Sequence, residues 1–339
     1  MARKTAGATG PGATIYSVAD RAGVSIATVS RVLQGGTVVA ERTREKVLAA
    51  VEELGYVPLG AARSLAVRHH EAHGLVLPEL SGPYYSELLM GFEARAAELG
   101  QSVVLVLTNG RRDLVGDVRR LATRVDAIAV LGSAAIPGEV VRTLAEKKPV
   151  VVIAGQPGDG VEAVAAENVD SARELVGHVL GHGRRRVLFV GDPASGPDIN
   201  NRHAGYRQAH HDHGLAPAEP VRISLREDDG FAFARRLLAG EYHADALVCA
   251  NDELALSIMT ALQDAGRDVP GDTAVVGWDD VMTARYVRPG LTTVRQPVQE
   301  LGALAADRLH DLVGGDRPPT DTRVLPTRLV LRASCGCTP

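Results

Sequence analysis

The chain has few cysteines and no long apolar run, and both shortages narrow its class. Three cysteines in 339 residues, Cys249, Cys335 and Cys337, are too few for a disulfide framework and favour a reducing compartment. No apolar run approaches the roughly 18 residues that a membrane helix needs. The first thirteen residues also lack the apolar core of a secretory signal. We therefore expect a soluble, cytoplasmic protein with no membrane partner.

Motifs that mark enzymes and cofactor sites are also missing. There is no Gly-x-Gly-x-x-Gly after a predicted strand, no phosphate-binding loop and no Gly-x-Ser-x-Gly nucleophile elbow. Cys335-Gly336-Cys337 is one cysteine pair without the second pair or the histidines that a closed zinc site requires. His210, His211 and His213 could bind a stray metal, but a solvated helix end explains them more simply. We therefore predict no enzyme, no cofactor and no metal site.

Charge is distributed unevenly along the chain. The chain carries 37 Lys and Arg against 41 Asp and Glu, a net charge of -4, which argues against a uniformly basic protein that coats nucleic acid. Residues 1–70 nevertheless hold nine basic and five acidic side chains, whereas the remainder is acidic. Since the length allows two or three domains, we expect a basic head on an acidic body.

The pattern from residue 14 to residue 57 predicts three short helices with tight turns. Apolar residues recur at helical spacing in each helix: Val18, Ala19 and Ala22 in the first, Val29, Val32 and Leu33 in the second, and Val47, Leu48, Val51 and Leu54 in the third. Gly23 breaks the first helix and Ser25 caps the second. Thr43 is the expected cap of the third helix, which ends at Gly55.

Helix, turn and helix is an arrangement in which the second helix enters the major groove of DNA. If its apolar side chains are buried, the others face outward: Ser25, Ile26, Ala27, Thr28, Ser30 and Arg31. Thr28 and Ser30 suit phosphate contacts, and Arg31 can pair with O6 and N7 of guanine. Ile26 and Ala27 can contact thymine methyl groups. We predict that this set binds double-stranded DNA.

After residue 70, strand-like apolar runs alternate with helix-like stretches. The runs span residues 74–78, 103–107, 127–131, 150–153, 187–190, 246–250, 274–277 and 291–294. This alternation predicts an α/β fold in which a doubly wound parallel sheet is covered by helices on both faces, and the length suits two lobes. Ligands of such sheets bind beyond the carboxyl ends of the strands.

Motifs along the whole chain resemble the lactose/galactose repressor (LacI/GalR) family. They include Thr14-Ile15, Ala22-Gly23-Val24-Ser25, Thr28-Val29-Ser30-Arg31-Val32-Leu33, Leu54-Gly55-Tyr56 and Ala62-Arg63-Ser64-Leu65. The chain departs from the family at Ser17, where an acidic residue is usual, and at Leu59, where Asn is usual. The resemblance implies an all-α helix-turn-helix head and a two-lobed body of the type I periplasmic-binding-protein fold.

The resemblance also implies a domain order. The expected boundaries are a tail at 1–13, the helix-turn-helix at 14–57, a hinge at 58–70, one lobe at 71–168 and 295–324, the other lobe at 169–294 and 325–334, and a tail at 335–339. In the hinge, Ala62 and Leu65 would bind DNA, and Leu65 resembles the leucine that wedges into the minor groove and bends the duplex. Gly60 should make this hinge a poor helix without DNA.

The family's ligand cleft implies further site residues. Tyr84 and Tyr85 would stack on a ring of the ligand, and the Arg202 guanidinium would donate to its hydroxyls or carboxylate. Asn251 would donate and accept, and Asp279 would accept from hydroxyls. Asp170 is a further candidate on the same logic.

Two neighbours of these residues have simpler explanations. Asp252 can cap the helix that follows it. Trp278 can pack beneath the cleft rather than line it.

The resemblance implies a ligand-responsive repressor of carbohydrate-metabolism genes. It would bind a pseudo-palindromic operator as a homodimer, and a sugar or sugar derivative in the cleft would change its DNA affinity. No leucine heptad follows Arg332, so we expect a dimer rather than a tetramer built by a tail. Two alternatives stay open: a ligand-binding or transport module with a vestigial head, and a sugar-active enzyme with a DNA-binding head. The residues do not distinguish an inducer from a co-repressor.

Overall fold

The computed structural model describes residues 13–33, 39–56, 70–156, 158, 161–316 and 322–338. The chain divides into two compact units, Met1–His70 and Glu71–Pro339, and each is described by itself. In the part of the chain so described, no helix is both long enough and apolar enough to cross a membrane.

The first unit contains three helices around a small apolar core. They are α1 (Ile15–Ala22), α2 (Ile26–Leu33) and α3 (Glu41–Leu54). Thr14 caps α1: its hydroxyl accepts from the N–H of Ser17 at 3.3 Å, and Ser17 Oγ accepts from the N–H of Thr14 at 2.8 Å. Ser17 therefore completes a capping box at the position where the family usually has an acidic residue. Gly23, with a φ of 67°, ends α1 in the left-handed conformation.

Two expectations for α3 are wrong. The helix begins at Glu41, before the predicted cap Thr43, and its N-cap residue Ala40 makes no side-chain hydrogen bond. Leu48, predicted on the apolar face, is 48 % exposed, and Ala50 is buried instead. The reason is rotation around the helix axis: Leu48 lies about 100° from Val47, whereas Ala50 lies one turn from it and shares its face.

The second unit is built from parallel strands. The strands of the unit are β1 (Ala72–Leu77), β2 (Ser102–Leu107), β3 (Ala127–Leu131), β4 (Val150–Ile153), β5 (Glu162–Ala166), β6 (Val187–Val190), β7 (Ala246–Cys249), β8 (Ala274–Val276), β9 (Thr293–Arg295), β10 (Arg323–Leu325) and β11 (Arg328–Val330). Every run predicted from the sequence overlaps a strand or leads into one. The strands β5, β10 and β11 were not predicted.

Helices follow most of these strands. They are α4 (Pro83–Glu98), α5 (Leu114–Ala122), α6 (Gly138–Ala145), α7 (Val169–Gly181), α8 (Pro197–Asp212), α9 (Glu227–Leu238), α10 (Asp252–Asp264) and α11 (Val298–Val313). Short 3-10 helices lie at Pro193–Ser195, Met282–Arg285 and Ala333–Cys335.

The strands form two lobes. In the N-lobe, six parallel strands lie in the order β10-β5-β4-β3-β1-β2, and the register places Leu75 beside Leu105 and Ala129. In the C-lobe, β6, β7 and β8 are parallel, and β9 pairs with β11 antiparallel. The predicted α/β class with an all-α head is confirmed.

The chain passes between the lobes after β5, after β9 and after β10, because β10 pairs with β5 of the N-lobe while β9 and β11 belong to the C-lobe. Hence each lobe is assembled from separate stretches of chain. The exact domain boundaries given above stay predictions.

Two helices of the N-lobe, α4 and α11, pack at very short range. A Cβ built on Gly91 would lie 2.0 Å from the carbonyl oxygen of Gln299, and one on Gly302 would lie 2.3 Å from that of Leu88. Both positions therefore require glycine, because only a residue without a side chain lets the two backbones approach so closely. Phe92 of α4, next to Gly91, is fully buried in the core of the N-lobe.

Candidate DNA-binding helix and ligand cleft

The structure places part of the predicted DNA-binding set on the open face of α2. Ser25 caps the helix as predicted, since its hydroxyl accepts from the N–H of Thr28 at 3.2 Å. Ile26 is 41 % exposed, and the short Ala27 is exposed beside it. Arg31 is exposed one turn later, in the last turn of the helix. This face therefore presents both apolar side chains and a cationic side chain.

Two residues of the set are less outward than expected. Thr28 and Ser30 are half-buried, and the Thr28 hydroxyl lies 2.9 Å from that of Ser25. If the Thr28 hydroxyl accepts from Ser25, it can still donate its own proton to a phosphate, since a hydroxyl both donates and accepts. Ala62 and Leu65 fall outside the described residues, so their role in DNA binding stays a prediction, as does that of the α2 residues.

A large cleft lies between the two lobes of the second unit. Its volume is about 910 Å³, near the upper end of the range for ligand pockets. N-lobe residues enter from the segments after β1, β3 and β4, and C-lobe residues from the segments after β7 and β8 and from the first turn of α8. The cleft is therefore at the carboxyl ends of the strands of both sheets, where α/β folds bind ligands.

Arg202, on α8, is held rigidly in this cleft. Its Nε donates to Asn168 Oδ1 at 2.8 Å and its Nη1 to the carbonyl of Ala250 at 2.6 Å. The guanidinium carbon lies 4.7 Å from the ring centroid of Trp278, and Nη2 lies 3.9 Å from Asp198 Oδ2. Because two sides of the fork are anchored and one face is stacked, the Nη2 edge is the part left for a ligand.

Asp279 lies opposite, in the segment after β8. Its backbone has a φ of 121°, and its Oδ1 accepts from Gln296 Nε2 at 2.5 Å. Burial raises the pKa of this carboxyl to about 7, with Arg202 and the Gln296 hydrogen bond acting in the opposite direction. A group that titrates near neutrality can accept a hydrogen bond when ionised and donate one when protonated.

Tyr84 and Tyr85 line the N-lobe side of the cleft. Their rings lie edge to face with centroids 5.6 Å apart, in the first turn of α4. Burial is the main reason that the pKa of both phenols is raised, for Tyr85 to about 12, so both carry their protons at neutral pH. They present aromatic surface together with hydroxyl groups.

Glycine is required just before these tyrosines. Gly82 has a φ of 85°, and a Cβ there would lie 1.9 Å from Glu253 Oε1 of the other lobe. The two lobes nearly touch at Gly82, so a side chain here would displace Glu253.

Asn251 also lines the cleft, but both ends of its amide are already used. Its Oδ1 accepts from the N–H of Leu254 at 3.1 Å and its Nδ2 donates to the carbonyl of Leu225 at 3.1 Å. The helix cap is therefore Asn251 rather than Asp252, the residue we expected. Trp278 packs beneath Arg202, as expected, and is 2 % exposed.

Asp252 has a different structural role from the one predicted. It is fully buried, and it accepts from the N–H of Val281 at 2.9 Å and from the Thr293 hydroxyl at 2.7 Å. Those bonds join the start of α10 to the segment after β8 and to β9.

One predicted ligand residue is wrong. Asp170 lies in the exposed first turn of α7 and is not among the residues that line the cleft. Asn168, two residues earlier, is buried and holds Arg202 by accepting from its Nε. Sequence reasoning had no sign of this contact, because Asn168 and Arg202 are 34 positions apart.

Sequence reasoning also missed the acidity of the cleft. The described residues that line it include two basic side chains, Arg202 and Arg226, and six acidic ones: Glu79, Asp198, Glu227, Asp228, Glu253 and Asp279. Burial raises the pKa of Asp198 and of Glu253. These residues come from five separate segments, so no local motif could have shown that they converge. The cleft disfavours an anionic ligand.

The two units together define a class of protein: a helix-turn-helix head joined to a two-lobed body with a ligand cleft. The model for "Bacterial regulatory proteins, lacI family" matches residues 14–58, and that for "Periplasmic binding protein-like domain" matches residues 176–335. Among curated proteins, the HTH-type transcriptional regulator GalR of Escherichia coli (strain K12) is 32 % identical over 330 residues, covering 95 % of each chain. The chain belongs to the LacI family.

Solved structures agree over nearly the whole chain. The lac repressor dimer bound to operator and the anti-inducer ONPF matches with a TM-score of 0.86 at 28 % identity, covering 96 % of this chain and 99 % of that one. A complex of the transcriptional regulator CelR with cellobiose matches with a TM-score of 0.71 at 30 % identity, covering 95 % and 99 %. The family consists of DNA-binding transcriptional regulators and not of enzymes, so the protein is such a regulator.

Proposed function

We propose that the protein represses genes of carbohydrate metabolism and that a neutral sugar bound in the cleft changes its affinity for DNA. The observation that carries this is the composition of the cleft: one anchored guanidinium, a pair of tyrosines and six carboxylates. Sugars offer vicinal hydroxyls that both donate and accept, and they offer apolar ring faces that pack on aromatic side chains.

The charge of the cleft narrows the class of ligand. Among the described residues that line the cleft only Arg202 and Arg226 are basic, so a sugar phosphate or a sugar acid would not find enough cations to replace its water. A neutral sugar instead donates to the carboxylates and accepts from Arg202. Among the similar proteins, CelR was solved with cellobiose, and a disaccharide would fit a cleft of about 910 Å³.

We propose that two copies of the chain bind a pseudo-palindromic operator, each through α2. The lac repressor was solved as a dimer on its operator, and a dimer with two-fold symmetry reads two half-sites. The sugar acts by binding one relative position of the lobes better than another, since only a difference in affinity can shift an equilibrium. Coupling of this kind amounts to about 1 to 3 kcal/mol in typical regulators.

The proposal is tested by titrating the purified protein with mono- and disaccharides, sugar phosphates and purine bases, with heat of binding as the readout. We expect a neutral sugar to bind. We expect Arg202→Lys to weaken that binding at least tenfold, because a lysine cannot keep the bonds to Asn168 and Ala250 and also offer a planar edge.

The matched control is Arg207→Ala, which removes an exposed arginine from the same helix outside the cleft lining. It should bind the sugar normally. Binding of a purine or a sugar phosphate but of no neutral sugar would overturn the assignment of the ligand.

A further inference from the structure

Four side chains that can hold a metal ion meet at one end of the C-lobe, away from the ligand cleft. They are His178, His182, Cys335 and Cys337, and their ligand atoms all lie within 4.8 Å of one another. His178 and His182 are one helical turn apart at the end of α7, while the cysteines lie more than 150 residues further along the chain. The prediction that Cys335-Gly336-Cys337 lacks histidine partners is therefore wrong.

We propose that this cluster binds one Zn²⁺ ion in a tetrahedral site of two nitrogens and two sulfurs, fastening the C-terminal segment to α7. The Nε2 atoms of the histidines are 3.2 Å apart, and the three resolved nitrogen–sulfur distances are each 3.4 Å. A tetrahedron with Zn–N of about 2.1 Å and Zn–S of about 2.3 Å requires about 3.4 Å and about 3.6 Å for these separations. The free side chains thus already stand at the spacing of zinc ligands.

Hydrogen bonds among the four side chains do not explain this arrangement. His178 Nε2 lies within 3.4 Å of three ligand atoms at once: His182 Nε2 and both sulfurs. One ring nitrogen carries either one proton or one lone pair and so serves a single partner well. A cation at the centre gives every donor atom one bond. Two nitrogens with two thiolates also select Zn²⁺ over Mg²⁺ or Ca²⁺, which prefer oxygen.

Backbone and side-chain contacts of Ser334 and Gly336 position the two cysteines beside the histidines. Ser334 accepts from the N–H of Thr292 at 2.8 Å and donates to the carbonyl of Val275 at 2.6 Å, which anchors the 3-10 helix that carries Cys335. Gly336, with a φ of 109°, then turns the chain in the left-handed region so that Cys337 returns to the histidines. A residue with a side chain would adopt this turn only under strain.

The surroundings suit a bound cation. The Thr292 hydroxyl lies 3.1 Å from Cys335 Sγ and 2.8 Å from the Arg332 carbonyl oxygen, and a thiolate at Cys335 would compete with that carbonyl for its single proton. The site also faces the carbonyl end of α7, where the helix dipole favours positive charge.

Binding must release protons. Zinc binds cysteine as the thiolate, so each free thiol must give up its proton when the ion binds. When Zn²⁺ binds, two S–H bonds break, two Zn–S bonds form, and two protons leave to solvent. The divalent charge is thereby neutralised by two thiolates, and the affinity for zinc rises with pH.

The experiment measures metal in the untagged full chain, purified with a phosphine reductant and assayed by mass spectrometry for elemental zinc. We expect about one zinc per chain. After chelation, Co²⁺ should restore an absorption spectrum of a tetrahedral site with thiolate-to-cobalt charge transfer, and added Zn²⁺ should displace it. The chelated protein should melt at a lower Tm and recover on addition of Zn²⁺.

Two pairs of variants keep the test decisive. Cys337→Ser and His182→Ala alter side chains at the solvent-facing side of the cluster, so folding should survive, and each should weaken zinc binding by more than about 100-fold. Cys249→Ala and His211→Ala remove a thiol and an exposed histidine outside the cluster and should bind zinc normally. Three results overturn the proposal: no zinc in wild type even after Zn²⁺ is added, a cobalt spectrum without thiolate bands, or equal zinc binding in all four variants.

Discussion

At the scale of single residues, the side chains that matter are held by neighbours from distant segments. Arg202 is useful because Asn168, Ala250 and Trp278 fix it, and these belong to three different parts of the chain. Sequence motifs located Arg202 and Trp278 but gave no sign of Asn168 as a partner.

Arg31 provides a test of the DNA-binding face. Arg31→Ala should weaken operator binding by about 1 to 3 kcal/mol and relax the preference at one base pair, because a bidentate pair with guanine is lost. Binding is measured against a set of single-base operator variants and against random DNA. Arg21→Ala is the control. It also removes a positive charge from the helix-turn-helix head, but the Arg21 guanidinium already pairs with the Glu53 carboxylate at 2.7 Å. If Arg31→Ala weakens specific and random DNA equally, the residue contacts phosphate instead.

Asp279 gives the protein a dependence on pH. Burial raises its folded pKa to about 7 from an ordinary 3.8, so the folded state binds the proton more tightly and this group stabilises the fold most below pH 4. That contribution is lost as the pH rises to 7. Relative to Asp279→Asn, the wild type should lose about 1.4 kcal/mol of unfolding free energy per pH unit over this window and nothing further above it.

Urea unfolding of both proteins at several pH values measures this difference. A difference in unfolding free energy that stays constant from pH 4 to pH 8 would mean that Asp279 is ionised throughout this range. The pKa of Asp279 in the folded protein would then not be raised.

At the scale of elements, the contact between α4 and α11 depends on two glycines. Gly91→Ala should destabilise the protein by about 1 to 3 kcal/mol or more, because the added methyl group would sit 2.0 Å from the Gln299 carbonyl oxygen and push the helices apart. Gly138→Ala is the matched control, since nothing lies within 4 Å of its added Cβ.

The readout for this pair is the midpoint of chemical unfolding. Equal midpoints for Gly91→Ala and wild type would show that α4 and α11 can separate at little cost, and the close packing would then contribute little to the stability of the N-lobe.

The strands that sequence reasoning found differ from those it missed in length and in the burial of their side chains. The buried runs of β3 and β4 were found because four or five consecutive apolar residues mark a strand covered on both faces. In contrast, β10 and β11 are three residues each, with exposed and half-buried side chains, so they have no such pattern. The start of α3 was misjudged because Ala40 leaves no side-chain signal at the cap.

At the scale of the whole molecule, clusters assembled by the fold lie beyond any local pattern. Cys335 and His178 are 157 positions apart, so no spacing motif connects them, although a His-x-x-x-His pair on a predicted helix followed by a Cys-x-Cys pair was a usable signal. The six carboxylates of the cleft were hidden for the same reason. The family resemblance supplied the architecture, whereas the chemistry of the cleft and of the cysteine cluster required three-dimensional placement.

The most direct test of the regulatory account is selection of genomic fragments by the purified protein at physiological salt, followed by sequencing, with and without the sugar that binds the cleft. We predict that a pseudo-palindromic site is enriched beside genes of carbohydrate metabolism and that the sugar changes its retention. Retention that depends on salt but not on sequence, with or without the sugar, would contradict the account.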